Sequence, residues 1–185
     1  MLLQLLAPKT SFLVRSTGKR MTDTKTTILS EHTRSEIDMW LEKYPEDRKQ
    51  SAVLAALREA QHQNNGYLTT ELMDAVADYL GMSKIAVYEV ASFYSMFETQ
   101  AVGRHSISVC TNISCLLMGS DGIVNHIEKK LGIKTGESTD DGKFYIKSEE
   151  ECLAACCGGP MMMIDHKYYE NLTPEKVDEI LDSLD

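Results

Sequence analysis

Four cysteines arranged as two close pairs set the strongest constraint on how this chain can fold. Cys110 and Cys115 enclose four residues, Cys152 and Cys156 enclose three, and thirty-six residues separate the pairs. Each pair adjoins a run that reads as a β-strand, so any fold that joins the pairs must set two strand ends side by side. Four thiolates gathered by two loops can ligate an iron–sulfur cluster or a zinc ion. A fifth cysteine, Cys157, makes the count odd, and the spacing is not that of a secreted disulfide scaffold. A reducing compartment and metal ligation fit better.

The 185 residues leave room for a small helical domain followed by a compact α/β domain. Apolar residues at helical spacing predict four short helices. Ile37, Trp40, Leu41 and Tyr44 mark the first, which Pro45 ends. Val53, Leu54, Leu57 and Ala60 face inward on a second, running from about Arg48 to Asn64. Leu72, Met73, Val76 and Leu80 mark a third, closed by Gly81 as a left-handed cap. Val87, Tyr88, Val90 and Ala91 mark a fourth, with Ser83 as its N-cap. Four helices with tight connections make a small bundle over residues 33–100.

From Arg104 the period changes. Residues 105–109 alternate like a strand and run into Cys110, so the first pair lies on a strand-to-helix loop. Ile123, Val124, Ile127 and Leu131 give the helix, which Gly132 stops. Asp140-Asp141-Gly142 is a turn and Phe144-Tyr145-Ile146 a second strand. Residues 161–164 form a buried strand, and a turn at Asp165-His166-Lys167 leads to Tyr168-Tyr169. Thr173 caps a last helix with Pro174 at its first position. This order, a β-α-β unit followed by a hairpin and a terminal helix, is the thioredoxin-like plan. The expected class is therefore α/β, with a helical bundle followed by a thioredoxin-like domain over residues 101–185.

Residues 1–32 stand apart as an N-terminal extension. Lys9, Arg15, Lys19 and Arg20 occur in the first 22 residues without an acid. The segment reads as a mis-assigned start with Met21 as the true first residue, as a disordered or genuine extension, or as an organelle transit peptide. The chain as a whole carries a net charge of −9, which argues against nucleic acid as a partner. No apolar run reaches the ~20 residues that cross a membrane, so direct membrane insertion is not expected.

Three features favour an iron–sulfur cluster over zinc, though both readings stand on the residues alone. Neither pair has the C-x2-C spacing that zinc knuckles repeat. Ser114, Ala154, Ala155, Gly158 and Gly159 are small enough to let backbone N–H groups approach sulfur. Neighbouring strand ends leave room for two irons. A thiol–disulfide enzyme fits less well, because no C-x-x-C motif is present. Cys157 reads as a small residue packed beside the site, with a substitute ligand or redox thiol as the alternative. His105, His126 and His166 read as surface or strand-end residues, and Met161, Met162 and Met163 as core.

Several motifs, taken together, resemble one family. They are Cys110-Thr-Asn-Ile-Ser-Cys115, Cys152-Leu-Ala-Ala-Cys156, Gly-Pro-Met-Met-Met-Ile-Asp, Gly66-Tyr67-Leu68, 87–94 and Asn171-Leu-Thr-Pro-Glu175. Over residues 33–185 they are similar to the thioredoxin-like [2Fe–2S] subunits of respiratory NADH dehydrogenase, known as the 24 kDa subunit in mitochondrial complex I and as the E subunit in the bacterial NADH–quinone oxidoreductase. The resemblance implies one [2Fe–2S] cluster per chain with Cys110, Cys115, Cys152 and Cys156 as its ligands, and no catalytic residue. It implies a one-electron carrier within an oxidoreductase, docked beside the subunit that binds FMN and NADH and among other peripheral-arm subunits. The expected location is the cytoplasmic side of a bacterial inner membrane, or alternatively the mitochondrial matrix side. An equivalent diaphorase subunit of a soluble NAD-linked hydrogenase or formate dehydrogenase is the alternative, and a zinc-stabilised interaction module a third. No Gly-x-Gly-x-x-Gly occurs, so NADH chemistry falls to the partner. Glu149, Glu150 and Glu151, just before Cys152, predict a low cluster potential by Coulomb repulsion.

Overall fold

The computed structural model describes residues 28–148 and 152–185. The helical part begins earlier than residue 33. Leu29 is buried, Ser30 caps α1 (Glu31–Leu41) by accepting the Thr33 N–H, and Gln63 binds the Ser30 N–H and the Thr33 hydroxyl. A 3-10 segment (Glu46–Ala52), kinked at Arg48, leads into α2 (Val53–Gln63). The second helix is thus regular only from Val53, and Leu54 points outward rather than inward, because the register that buries Val53, Ala56, Leu57 and Ala60 turns it to solvent.

Asn65 and Gly66, both with positive φ, turn the chain into α3 (Thr70–Leu80), and Gly81 caps it with φ 67°. Ser83 precedes α4 (Lys84–Phe93) as expected, but its hydroxyl makes no capping bond. Leu57, Leu68, Val76 and Val87, all without exposure, lie in the core that joins these helices.

The second part is built on a four-stranded sheet. β1 (His105–Val109) is followed by α5 (Ile113–Leu117) and α6 (Ser120–Leu131). Then come β2 (Phe144–Ile146), β3 (Met162–Ile164), β4 (Lys167–Tyr169) and α7 (Pro174–Asp182). The spatial order is β2-β1-β3-β4, with β1 parallel to β2 and antiparallel to β3. Ile107, Ile146 and Ile164 face α6 and α7 and pack on Ile127, Val177 and Leu181. Burial along β1 does not alternate as its sequence does. Ile107, Ser108 and Val109 are all buried, because β1 is central and both faces are covered.

The two parts touch across the other face of the sheet. The Tyr145 hydroxyl donates to Glu98 at 3.1 Å, and Lys147 donates to the Ser95 carbonyl at 2.9 Å. Beside these contacts is a cleft of about 920 Å³ lined in part by His62, Arg104, Ser108, Met163 and His166. Among the described residues no helix is long and apolar enough to cross a membrane.

Candidate metal centre

Strand pairing brings the two cysteine segments together. Val109 at the end of β1 sits opposite Met162 at the start of β3, and the Cys110 N–H donates to the Met161 carbonyl at 3.1 Å. Cys110 therefore leaves β1 where the segment carrying Cys152 and Cys156 enters β3. Cys110 and Cys115 are buried against Leu153 and Met161, whereas Cys152, Cys156 and Cys157 are exposed.

The loops themselves are in contact. A Cβ added at Gly159 would lie 3.2 Å from the Cys115 Sγ and 3.1 Å from the Met118 Sδ. Gly158 has a different role. A Cβ there would meet the Glu170 side chain at 2.4 Å, so this glycine makes room for Glu170 rather than for sulfur.

The sulfur of Cys152 lies 3.7 Å from that of Cys156. With metal–sulfur bonds of about 2.3 Å, two sulfurs on one tetrahedral metal lie about 3.8 Å apart, so this pair already has the edge length of such a site. Among the described residues no three His, Cys, Asp or Glu side chains converge on one point fit for a single ion. The thiols instead make contacts pair by pair, Cys110 with Cys115 and Cys152 with Cys156, while Cys110 also reaches Cys152.

Backbone donors point at the sulfurs. Ala154 takes φ 60°, a left-handed conformation rarely held by alanine, and its N–H donates to Cys152 Sγ at 3.4 Å. Such a conformation costs about 1–2 kcal/mol and persists where its surroundings fix it. Burial opposes ionisation of Cys110, but the Leu153 and Asn112 amides and the Cys115 and Cys152 thiols outweigh it and hold its pKa below the ordinary thiol range. Burial, reinforced by Cys110, pushes Cys115 up to about 11 against the Met161 amide. For Cys152 the Ala154 amide favours the thiolate, yet the Cys156 thiol and burial prevail and raise it. Thiols this close cannot all ionise without a cation among them, and a metal that displaces their protons removes the conflict. The edge length, the directed amides and the competition for protons all fit a metal–thiolate group.

The sequence placed all four cysteines at one end of the sheet, and the structure puts them there. It did not predict α5, which carries Cys115 on its inner side, nor the positive φ of Ala154. The apolar run after Asn112, a good N-cap residue, was the available sign of α5. His105, His126 and His166 contact Asp165, Asp178 and His62 respectively. Met161 and Met162 are core. Glu149, Glu150 and Glu151 lie outside the described residues, as do the readings made on residues 1–27.

Comparison with known proteins agrees with this geometry. The profile of the thioredoxin-like [2Fe-2S] ferredoxin family matches residues 37–185. The chain is 47% identical over 144 residues to the E subunit of the NADH-quinone oxidoreductase of Rickettsia conorii, covering 78% of this chain and 86% of the relative. It is 41% identical over 148 residues to the mitochondrial NADH dehydrogenase [ubiquinone] flavoprotein 2 of Dictyostelium discoideum, covering 80% of this chain and 60% of that one. In fold it resembles a chain of an NAD+-reducing [NiFe]-hydrogenase in the H2-reduced state, with TM-score 0.61 and 21% identity over 70% of this chain and 21% of that one.

Proposed function

We propose, from the premise that this chain belongs to the thioredoxin-like [2Fe-2S] ferredoxin family, that it is the one-electron carrier subunit of an NADH–quinone oxidoreductase. Cys110, Cys115, Cys152 and Cys156 hold one [2Fe–2S] cluster, each thiolate filling one of four terminal positions. The observation that carries the assignment is the convergence of both cysteine pairs at the β1 and β3 ends, with Cys152 and Cys156 already at the spacing of two ligands on one metal. Separate cores for the helices and for the sheet support a helical domain running to about residue 100, which takes in Leu29 and so starts before the expected residue 33, and a thioredoxin-like domain over residues 101–185.

When bound, the cluster supplies reversible one-electron chemistry. The chain's own part is to hold and tune it. Buried Cys110 and Cys115 anchor the inner side, exposed Cys152 and Cys156 close the outer side, and N–H donors at Leu153, Asn112, Ala154 and Met161 offset negative charge on sulfur. Hydride acceptance from NADH needs a nicotinamide site and a flavin. These belong to an FMN- and NADH-binding partner subunit, beside which this chain sits in the peripheral arm. That arm lies on the cytoplasmic side of the bacterial inner membrane, or on the matrix side in mitochondria.

Anaerobic reconstitution tests the assignment. The protein should take up about two irons and two sulfides and turn red-brown. Alanine at any of the four ligand positions should abolish or severely weaken the cluster, while Cys157→Ala should keep it. One equivalent of zinc with no visible absorption refutes the cluster. Iron lost from Cys157→Ala but kept by Cys156→Ala shifts the ligand set by one residue.

A further inference from the structure

Two imidazoles meet where the helical part touches the sheet. His62, near the end of α2, faces His166 in the turn between β3 and β4. Their ring centroids lie 5.1 Å apart with the planes at 67°, and both line the cleft of about 920 Å³ between the two parts. A zinc–imidazole bond is about 2.0–2.1 Å and a ring nitrogen lies about 1.1 Å from its centroid, so two imidazoles on one tetrahedral zinc hold their centroids about 5.2 Å apart. The pair already stands at that separation. The torsion that turns an imidazole is broad, so aiming one nitrogen from each ring at a common point costs little.

Both rings stand on fastened backbone. Gln61, beside His62, donates to the Met96 carbonyl at 3.1 Å and accepts the Glu98 N–H at 2.8 Å. Asp165, beside His166, accepts the Ser106 N–H at 3.1 Å and binds the His105 ring. Local charge suits a cation. Glu59 Oε2 lies 3.7 Å from His62 Nδ1. A carboxylate there favours the proton on Nδ1 and leaves the Nε2 lone pair for a metal. The same carboxylate engages the neighbouring cation, Arg58, through Oε1 at 3.0 Å. Burial, with His166 and Arg58, lowers the His62 pKa against the pull of Glu59, which keeps this imidazole neutral at neutral pH.

We propose that His62 and His166 form a zinc site that clamps the helical part to the sheet. Among the described residues no third His, Cys, Asp or Glu joins them, so water fills the remaining positions and the site is an open one. Imidazole selects Zn2+ and its neighbours Cu2+ and Ni2+ over Mg2+ or Ca2+, which take oxygen ligands. The site is separate from the cysteines, because His166 follows the end of β3 opposite to the one that the cysteine segment enters. It does not depend on what the cysteines hold.

Zinc titrated into the full chain, with the cysteine site loaded first so that its thiols do not compete, tests the proposal. Calorimetry should show one equivalent bound. Loss of even an outer partner weakens a metal site about tenfold or more, so His62→Ala and His166→Ala should each weaken Kd at least that much. His32→Ala and Cys157→Ala, at exposed positions elsewhere, should leave it within about twofold. Ring-proton resonances of His62 and His166 should shift together while those of His32 stay, and zinc should slow amide exchange at residues 165–167. Both rings are exposed, so the zinc-free variants should melt with the unmodified chain. Zinc bound as tightly by both histidine variants, a shift of one ring alone, or no uptake at about 1 mM zinc overturns the site. Loss of binding in Cys157→Ala alone assigns the metal to that thiol and overturns it as well.

Discussion

Replacing Gly159 by alanine isolates one methyl group at the metal centre. The backbone there is ordinary extended chain (φ −69°, ψ 155°), so alanine carries no conformational penalty. The new Cβ would sit 3.1 Å from Met118 Sδ and 3.2 Å from Cys115 Sγ, a few tenths of an ångström inside normal contact. Overpacking of this kind costs about 1–3 kcal/mol. Met118 is half exposed and its thioether is flexible, so it can swing aside and take the cost toward the lower end. Cys115 cannot move freely once its sulfur is bound to metal, because tolerances on such bonds are about 0.2 Å. In the metal-free chain it can turn away, so the strain falls selectively on the loaded state. A penalty of about 1–1.4 kcal/mol corresponds to roughly five- to tenfold weaker retention of the cluster. Bleaching of the visible absorbance at fixed chelator concentration measures it, alongside the melting temperature of the metal-free protein, which should barely change. Retention equal to the unmodified chain would show that the second loop does not press on Cys115. An equal loss of stability in the metal-free protein would show that the methyl acts on the fold and not on the ligand.

Other substitutions test neighbouring parts of the framework. A Cβ at Gly103 would lie 2.4 Å from the backbone C and O of Phe144, where nothing can swing aside, so Gly103→Ala should cost upwards of about 4 kcal/mol and unprotect amides 144–146 to hydrogen exchange. Burial, and then the Glu98 carboxylate, raise Tyr145 to about 12. Because that folded value lies above the unfolded one of about 10, its contribution is whole below pH 10 and lost as pH rises to 12. Denaturant melts across that window should slope less in Tyr145→Phe, while Tyr79, also raised to about 12 by burial and Asp38, keeps the remaining slope. The Ser120 hydroxyl is buried with no hydrogen-bond partner among the described residues, so Ser120→Ala should be neutral or stabilising by up to about 1 kcal/mol in urea unfolding. A loss of that size would reveal a partner.

Much of this arrangement was legible in the residues, and what escaped had physical reasons. Helical stripes are strong signals where one face is buried, and Ile37, Leu57, Val76, Val87 and Ile127 lie inside as their spacing implies. Leu54 misled because one apolar residue on an otherwise polar face costs little, so spacing alone did not exclude it. The kink at Arg48 arises in a polar stretch where periodicity has nothing to report. In β1, Ser106 and Ser108 mimic the polar side of a half-exposed strand, yet Ser108 is buried because the second face meets the helical part, a long-range fact no local pattern contains. The cysteine pairs announced the site, but the left-handed Ala154 and the contact of Gly159 with Cys115 depend on how two distant loops meet.

The antiparallel pairing of β1 with β3 also orders events in time. Thirty-six residues lie between the inner and outer thiols, so the chain must close that loop before all four can meet. Metal therefore meets a preformed set of four thiols only once β1 and β3 have paired. In unfolding, separation of β1 from β3 parts the pairs, so loss of colour becomes a clock for that event. The helices can fray or melt without stopping the clock, since their core is built from other residues. Colour and far-ultraviolet dichroism followed in one stopped-flow trace should then decay at separate rates.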